Sequence, residues 1–481
     1  MKLTYEKSIE YWDASTTNSA LRDRIISVDE VLEHSTKRAE QFQHLNALVA
    51  QPTQNELSAV SSEVQRRLDA GDTSRLLGVP TTVKDVIAVA GMGLSAGSRL
   101  LKDNRSAIDA GVVLKLREAG VMFVGKTNCP EFAFGISTSN DLYGTTLSPW
   151  GQNLSPGGSS GGDAVSVAVG ISLVGVGTDF GGSIRWPAQC TGILGLRPTP
   201  GLISGVGQLV GTARQGIDGA SQLAADSFQA AIQVPGFLAR SVNDLENVVS
   251  AARQATAGTR SLSKTSTDTL DTDLSAVTIG WSDGSNIGVV GDDVKAMMLE
   301  LSKTLTDDGL NLKYFGDAFA GAREAFDDLR GYEQLYDLRE LAHGRESELS
   351  RASYALLTKP PRSRDGYVLA KETYLHQREV GREQLRVTPL FLLPVAGCGA
   401  IGHDETACIN GITVAGFELM AHCRAISLLG VPVVSIPVAK TANGLPLSVQ
   451  IVAPPFREDL ALALARRIES LSGGWQPISG L

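Results

Sequence analysis

The spacing of apolar residues changes character near residue 75. Before it, Val28, Val31, Leu32, Ala39 and Phe42 recur at the period of one helix face, and Ser27 with Glu30 has the pattern of a capping box. A second helix is predicted over 56–70, stopped by Gly71. Both are packing elements without a catalytic constellation. From Leu76 onward the pattern becomes short apolar runs separated by Gly and Pro. A strand and turn over 79–89 carries Lys84, and a helix over 112–119 leads into a strand at 121–124. A helix over 162–170 and a buried strand over 171–176 follow, with Gly177-Thr178-Asp179 as a turn. Further helices are predicted over 223–232, 242–255, 292–308 and 321–357, and strands over 277–281 and 390–395. Two apolar runs at 431–438 and 447–452, joined by a Gly-Leu-Pro turn, precede a closing helix over 457–471. Residues 256–272, rich in Ser and Thr, read as an exposed loop. Many short strands alternating with helices predict an α/β fold.

Composition narrows the class. With 43% hydrophobic and 20% charged residues, the 481-residue chain can bury a sizeable core. A net charge of −9 argues against nucleic acid or an anionic membrane as the main partner. The five cysteines, Cys129, Cys190, Cys398, Cys408 and Cys423, are an odd number with no CxxC pair, which fits free thiols in a reducing compartment. The start, MKLTYEKSIEYWDAS, lacks a signal-peptide apolar core, and no uncharged run reaches the roughly 18–20 apolar residues of a membrane span. The expected location is cytoplasmic.

Candidate chemistry concentrates in two glycine-cradled serine sites, Gly157-Gly158-Ser159-Ser160-Gly161-Gly162 and Gly181-Gly182-Ser183. Glycines beside a serine permit close approach of a substrate to the backbone. Lys84 is flanked by Val83 and Asp85-Val86-Ile87, which suggests burial, and a buried lysine without a compensating charge can be the neutral amine a general base requires. Two other patterns are set aside. Gly120 to Thr127 matches GxxxxGK[ST], but its four central residues, Val-Met-Phe-Val, are the strand itself, where a phosphate loop needs a turn. Gly157 to Gly161 matches GxSxG, but the residues before it form a loop where that elbow needs a strand. It also needs a histidine. His34 and His44 lie in the N-terminal helices and His343 and His376 in charged helices, leaving His403 and His422. His422 falls in the helix-like stretch 417–429, where a core or surface histidine is the ordinary reading. Cys129 and Cys190 lie near the motifs, where a free cysteine is usually a small buried hydrophobe.

The stretch 154–204 resembles the amidase signature family, whose hallmark is a Gly/Ser-rich block leading to GGSIR and a Pro-Ala pair. Gly181-Gly182-Ser183-Ile184-Arg185 and Pro187-Ala188 match it. The likeness extends to Gly78-Val79-Pro80-Thr81-Thr82-Val83-Lys84-Asp85, Gly125-Lys126-Thr127-Asn128, Glu131-Phe132-Ala133, Pro149-Trp150, Gly444-Leu445-Pro446 and Val449-Gln450-Ile451-Val452. It implies one large α/β domain, 1–481, with a mixed central β-sheet covered by helices on both faces. Within it, 1–72 is an N-terminal helical segment, 75–205 the catalytic signature core and 206–481 the remainder of the sheet and the pocket helices.

The resemblance also assigns roles. Ser183 would be the nucleophile, Lys84 the base and Ser159 the bridge between them, set in a non-proline cis peptide. The offset of 24 residues between Ser159 and Ser183 is the family's spacing for bridge and nucleophile. Backbone amides of Phe180, Gly181, Gly182 and Ser183 would form the oxyanion hole. Ser160 would hydrogen-bond within the network, and Asp179 and Arg185 would support the loop, Arg185 through an internal ion pair. Phe134, Gly158 and Trp186 are substrate-binding candidates. Two positions depart from the family: Phe180 stands where a smaller or aliphatic residue is usual, and Asp163 where small residues or Glu are common. The Phe180 ring would narrow the acyl pocket, while Asp163 suits the first turn of a helix. Residues 205–234 are longer than the family's usual connection, which makes 208–220 a candidate substrate-facing insertion.

The implied reaction is hydrolysis of a small carboxamide through an acyl-enzyme on Ser183. No metal and no cofactor are expected, since the chemistry needs none and the chain has neither HExxH nor a cysteine cluster. The partner is a small-molecule amide, and a homodimer is expected because family members are often dimers. Two alternatives remain open at this stage: the glutaminase (A) subunit of a tRNA-dependent amidotransferase, and a catalytically inactive binding protein on the same scaffold. Residues 388–437, with His403 and Asn410-Gly411, look more like small-amide hydrolases.

Overall fold

Ser27 caps the helix Val28–Gln41 with both halves of the capping box in place, and Val28, Val31, Leu32 and Ala39 are buried along its inner face. Thr53 and Glu56 repeat the same device on the helix Gln54–Asp69. These observations come from a computed structural model that describes residues 9–209, 227–253, 273–360 and 362–478. The readings for 256–272, and for 208–220 apart from its first two residues, lie outside the described residues.

The frame is a mixed sheet of eleven strands. In chain order they are β1 (Leu48–Ala50), β2 (Pro80–Lys84), β3 (Met122–Thr127), β4 (Val174–Asp179), β5 (Leu194–Arg197), β6 (Val234–Ala239), β7 (Thr278–Trp281), β8 (Asn311–Tyr314), β9 (Leu390–Pro394), β10 (Val433–Lys440) and β11 (Pro446–Val452). Their spatial order is β1-β3-β2-β4-β6-β5-β10-β11-β9-β7-β8. β2 runs parallel to both β3 and β4, whereas β4 pairs antiparallel with β6. Helices cover this sheet, the α/β arrangement that the alternation of short strands and helices predicts.

Several boundaries differ from the sequence reading. The strand expected at 171–176 runs instead from Val174 to Asp179, because Gly177, Thr178 and Asp179 pair with Gly236, Pro235 and Val234 on β6. The long helix expected over 321–357 is three helices, Ala322–Tyr332, Tyr336–Ala342 and Arg351–Leu357. Leu335 and Gly344 adopt left-handed backbone conformations that no helix can continue through. β1, β5, β6 and β8 were not legible, being short segments whose partners lie far away in sequence.

The packing around β4 positions the site. A Cβ on Gly177 would fall 2.5 Å from Ser160 Oγ, and one on Gly175 would fall 2.9 Å from the Asp163 Cβ. Glycine at these alternate positions lets the helix Gly161–Val169 and the serines before it lie directly on the strand. All nine residues of that helix are buried, as are all seven of Arg185–Thr191. Gly162 is held as tightly: an added Cβ would meet Asn128 N and O at 2.6 Å and Ala47 O at 2.8 Å, all backbone atoms that cannot rotate away. Gly162→Ala is therefore expected to lower stability by about 1–3 kcal/mol, measured by urea unfolding. An unchanged midpoint would show that this helix start is looser than its contacts indicate.

Candidate active site

Lys84 ends β2, and β4 beside it carries Thr178 at the same edge. The Lys84 side chain is fully buried, and its Nζ donates to Ser159 Oγ at 2.6 Å, Thr178 Oγ1 at 3.0 Å and Ser160 Oγ at 3.1 Å. Hydroxyls both donate and accept, so these three contacts serve an ammonium or a free amine equally. No carboxylate lies within ion-pair distance of Lys84 among the described residues. Burial therefore pushes its pKa below the ordinary lysine value, opposed by more distant charge on Cys129, Asp163 and Asp179.

The two serine sites meet here. The Gly158–Ser159 peptide is cis. Thr138 clamps this turn, donating to Gly157 O at 2.8 Å and accepting from Gly161 N at 3.1 Å. Ser160 N donates to Ser183 O at 3.1 Å, joining the first glycine-serine turn to the second. Ser159 and Ser183 line one cavity of about 460 Å³ together with Thr178, Phe180 and Gly181. The site thus sits at the carboxyl ends of parallel strands, where open α/β sheets commonly place ligands.

Asp179 organises the second turn. Its carboxylate accepts from Gly182 N at 2.9 Å and Ile184 N at 3.2 Å, and it pairs with Arg185 at 3.0 Å and Arg197 at 3.3 Å. All three side chains are fully buried. Against the upward push of burial, the two guanidinium groups hold the Asp179 carboxyl well below the usual carboxylate range. Arg185 also donates to Ser427 Oγ, Gln450 Oε1 and the Cys423 carbonyl, which ties the turn to a distant helix and to β11.

Other site expectations are placed differently. Gly182 gives its N–H to Asp179, whereas the N–H groups of Gly181 and Ser183 have no hydrogen-bond partner among the described residues. Phe134 and Phe180 line the cavity, but Trp186 does not. Its ring is fully buried and its indole N–H donates to Ile136 O at 2.9 Å, so it is core beneath the site. Gly158 packs against residues 135–137, where a Cβ would meet backbone at 2.9 Å. Asp163 is more than a helix-start residue: it is fully buried, and burial raises its pKa against the opposing pull of the Thr127 hydroxyl and the Lys84 charge. Lys126 is a buried structural lysine that donates to Ile87 O and lies 3.9 Å from Asp85. Among the described residues no histidine lines the cavity. His422 is buried against Gly284 O at 3.1 Å, and His403 contacts Gln152 O. Cys190 is fully buried, and burial pushes its thiol well up.

Sequence reasoning missed Thr178, Thr138, Arg197, Ser427 and Gln450. For Gln450 a signal existed, a lone amide in the apolar run Pro446–Val452. The others stand in unremarkable local sequence. Among the described residues no helix is long and apolar enough to cross a membrane, and no group of three or more His, Cys, Asp or Glu is placed to hold a metal ion.

A mixed α/β sheet with a lysine and paired serines buried at its strand ends defines the class, and comparison with known proteins gives the family. The family model described as Amidase matches residues 30–316, and the chain belongs to this family, the amidase signature enzymes. A protein from Deinococcus deserti, named as the A-type subunit of glutamyl-tRNA(Gln) amidotransferase, is 31% identical over 92% of both chains. Its namesake from Deinococcus radiodurans is 32% identical over 92% of this chain and 93% of its own. Among solved structures, one described as an amidase superposes with a TM-score of 0.82 at 26% identity, covering 96% of this chain and all of that one. A bacterial aryl acylamidase superposes at 0.83 with 21% identity over 97% of each chain, a likeness of fold.

The Asp179 network makes a stability prediction. Asp179→Asn leaves Arg185 and Arg197 buried without a counter-charge and is expected to cost roughly 3–5 kcal/mol in chemical denaturation. Because the folded carboxyl titrates below its unfolded value of 3.8, this contribution is present above that pH and is lost as pH falls below it. A loss under about 1 kcal/mol at neutral pH would remove Asp179 from the role of electrostatic hub.

Proposed function

We propose that this chain, taken as one amidase unit over 1–481, hydrolyses a carboxamide through an acyl-enzyme on Ser183. The observation that carries the reading is the buried Lys84–Ser159 contact at 2.6 Å opening into the cavity that Ser183 lines. Lys84, whose pKa burial lowers to about 8, in its free-amine form takes a proton from Ser159, which takes one from Ser183 as its Oγ attacks the carbonyl carbon. The Gly181 and Ser183 amides, with Phe180 beside them, stabilise the oxyanion, while Gly182 braces the turn through Asp179. The proton then returns through Ser159 to the departing nitrogen, and water releases the carboxylate by the same route. Ser160 and Thr178 hold the Lys84 amine in place.

The relatives favour a particular setting for this chemistry. Full-length similarity to proteins named as the A-type subunit of glutamyl-tRNA(Gln) amidotransferase supports the glutaminase reading, in which glutamine is the amide and ammonia passes to a partner in a larger complex. The alternative is a stand-alone hydrolase of another small amide. Ammonia release by the purified chain from glutamine and from aliphatic and aryl carboxamides separates them, with release from glutamine alone supporting the glutaminase reading.

In either setting Ser183→Ala is expected to abolish release, and activity that survives the substitution would overturn the mechanism. The pH profile supplies a second test. With Lys84 required as the free amine, kcat/KM should rise with pH, with a midpoint below lysine's ordinary 10.5. A flat profile from pH 6 to 10 would exclude Lys84 as the titrating base.

A further inference from the structure

Asp163 is a buried carboxylic acid that the proton transfers between Lys84, Ser159 and Ser183 do not use. Its side chain is fully buried, and neither carboxyl oxygen has a hydrogen-bond partner among the described residues. The strand registers place it on the face of the sheet that carries Lys84. Thr82 and Lys84 stand two apart on β2 and so point to one side. Lys84 is opposite Thr127 on β3, and Thr82 is opposite Gly175 on β4, the glycine against which the Asp163 Cβ packs. From the first turn of the helix Gly161–Val169, Asp163 therefore faces Thr82, Thr127 and Lys84.

The other ionisable groups on the elements around this helix are engaged or neutral. Asp85, next to Lys84 on the chain, accepts from Ser95 and lies 3.9 Å from Lys126 of β3, which itself donates to Ile87 O. Asp179, at the end of β4, is paired with Arg185 and Arg197. Burial pushes the Cys129 thiol and the Cys190 thiol of the helix Arg185–Thr191 upward, so both stay protonated. Arg38 and Arg240 donate to carbonyls of Val167, Ala168 and Val169 at the far end of the helix, and β6 brings no titratable side chain. Asp163 is left as the carboxyl free to offset charge on Lys84. Burial raises its pKa to about 7 against the pull of the Thr127 hydroxyl and the Lys84 charge, so the carboxylate is the form present where Lys84 is the free amine.

Lys84 gains a proton each time Ser183 is activated, and the resulting ammonium has only hydroxyls in contact with it. A buried charge in that position is costly without a counter-charge, and in a low-dielectric interior a counter-charge acts beyond contact distance. We infer that Asp163 is the positioning residue that supplies it: its carboxylate, on the same face of the sheet and without a partner of its own, stabilises the Lys84 ammonium while Lys84 holds the proton passed from Ser183 through Ser159. Asp163 itself neither takes nor gives a proton in the cycle. When the proton returns through Ser159 to the departing nitrogen, the pair is back in its starting state. The inference rests on the hydrolase reading, with Lys84 as base.

The test is the pH dependence of kcat/KM for Asp163→Asn, which keeps the shape and removes the charge, and for Asp163→Ser, which removes both, on the amide that the wild type cleaves fastest. An anion near Lys84 raises its pKa, so removing the anion lowers it. In both variants the midpoint of the rise is expected to move down by roughly one pH unit, and the plateau to fall roughly threefold to tenfold because the weaker base accepts the proton less readily. A midpoint does not depend on the fraction of folded enzyme. A packing role alone would lower the plateau of Asp163→Ser and move neither midpoint, and a midpoint that is unchanged or raised in both variants overturns the inference. An NMR titration of the isotope-labelled Lys84 Cε signal, assigned by its loss in Lys84→Met, reads the same shift without turnover. If the wild type releases no ammonia from any amide, the hydrolase reading falls, while a Lys84 titration that moves down in both variants keeps Asp163 as its counter-charge. If the wild type is active and the Lys84 titration stays in place in both variants, the inference about Asp163 falls alone.

Discussion

The dry burial of the Lys84 amine is the constraint on which the site depends. Its side chain is fully buried, and the groups within hydrogen-bonding reach are hydroxyls. A charge in such a place is costly unless paired, so burial lowers the Lys84 pKa to about 8 and brings the free amine within reach near neutral pH. The same burial raises Asp163 nearby, so a lysine and a carboxylic acid that would both be charged in water are each driven toward neutrality. Burial lowers the basicity of this amine, and any change that admits water near β2 and β4 returns its pKa toward the ordinary lysine value.

Asp179 solves the opposite problem. It keeps its charge in the core because two guanidinium groups and two backbone amides surround it. Buried ion pairs are a weak source of net stability, but their geometry is demanding. Here that geometry fixes the turn holding Ser183, with Arg185 extending the brace to Ser427 and Gln450. The two electrostatic regimes meet at the last residues of β4, one disfavouring charge on Lys84 and the other using charge to hold the turn that carries Ser183.

The cavity above them differs again. Phenylalanines and cationic side chains line it together in an acidic protein. Much of the cavity wall comes from the helices after residue 320, whereas Lys84, Ser159 and Ser183 come from residues 80–185.

What the sequence determined by itself was local. The capping box of Ser27 and Glu30, the strand carrying Lys84 and the two glycine-cradled serine turns each rest on neighbours a few positions away, and each was legible. The rejection of the phosphate-loop pattern at Gly120–Thr127 was legible for the same reason, since a strand cannot also be the turn. The tertiary structure alone decided what Asp179 pairs with, that Trp186 points into the core and that Gly182 gives its N–H to a carboxylate. Arg185 is separated from Gln450 by 265 residues and from Ser427 by 242. A side chain's partner over such distances is set by how strands order themselves in the sheet, which no local periodicity encodes.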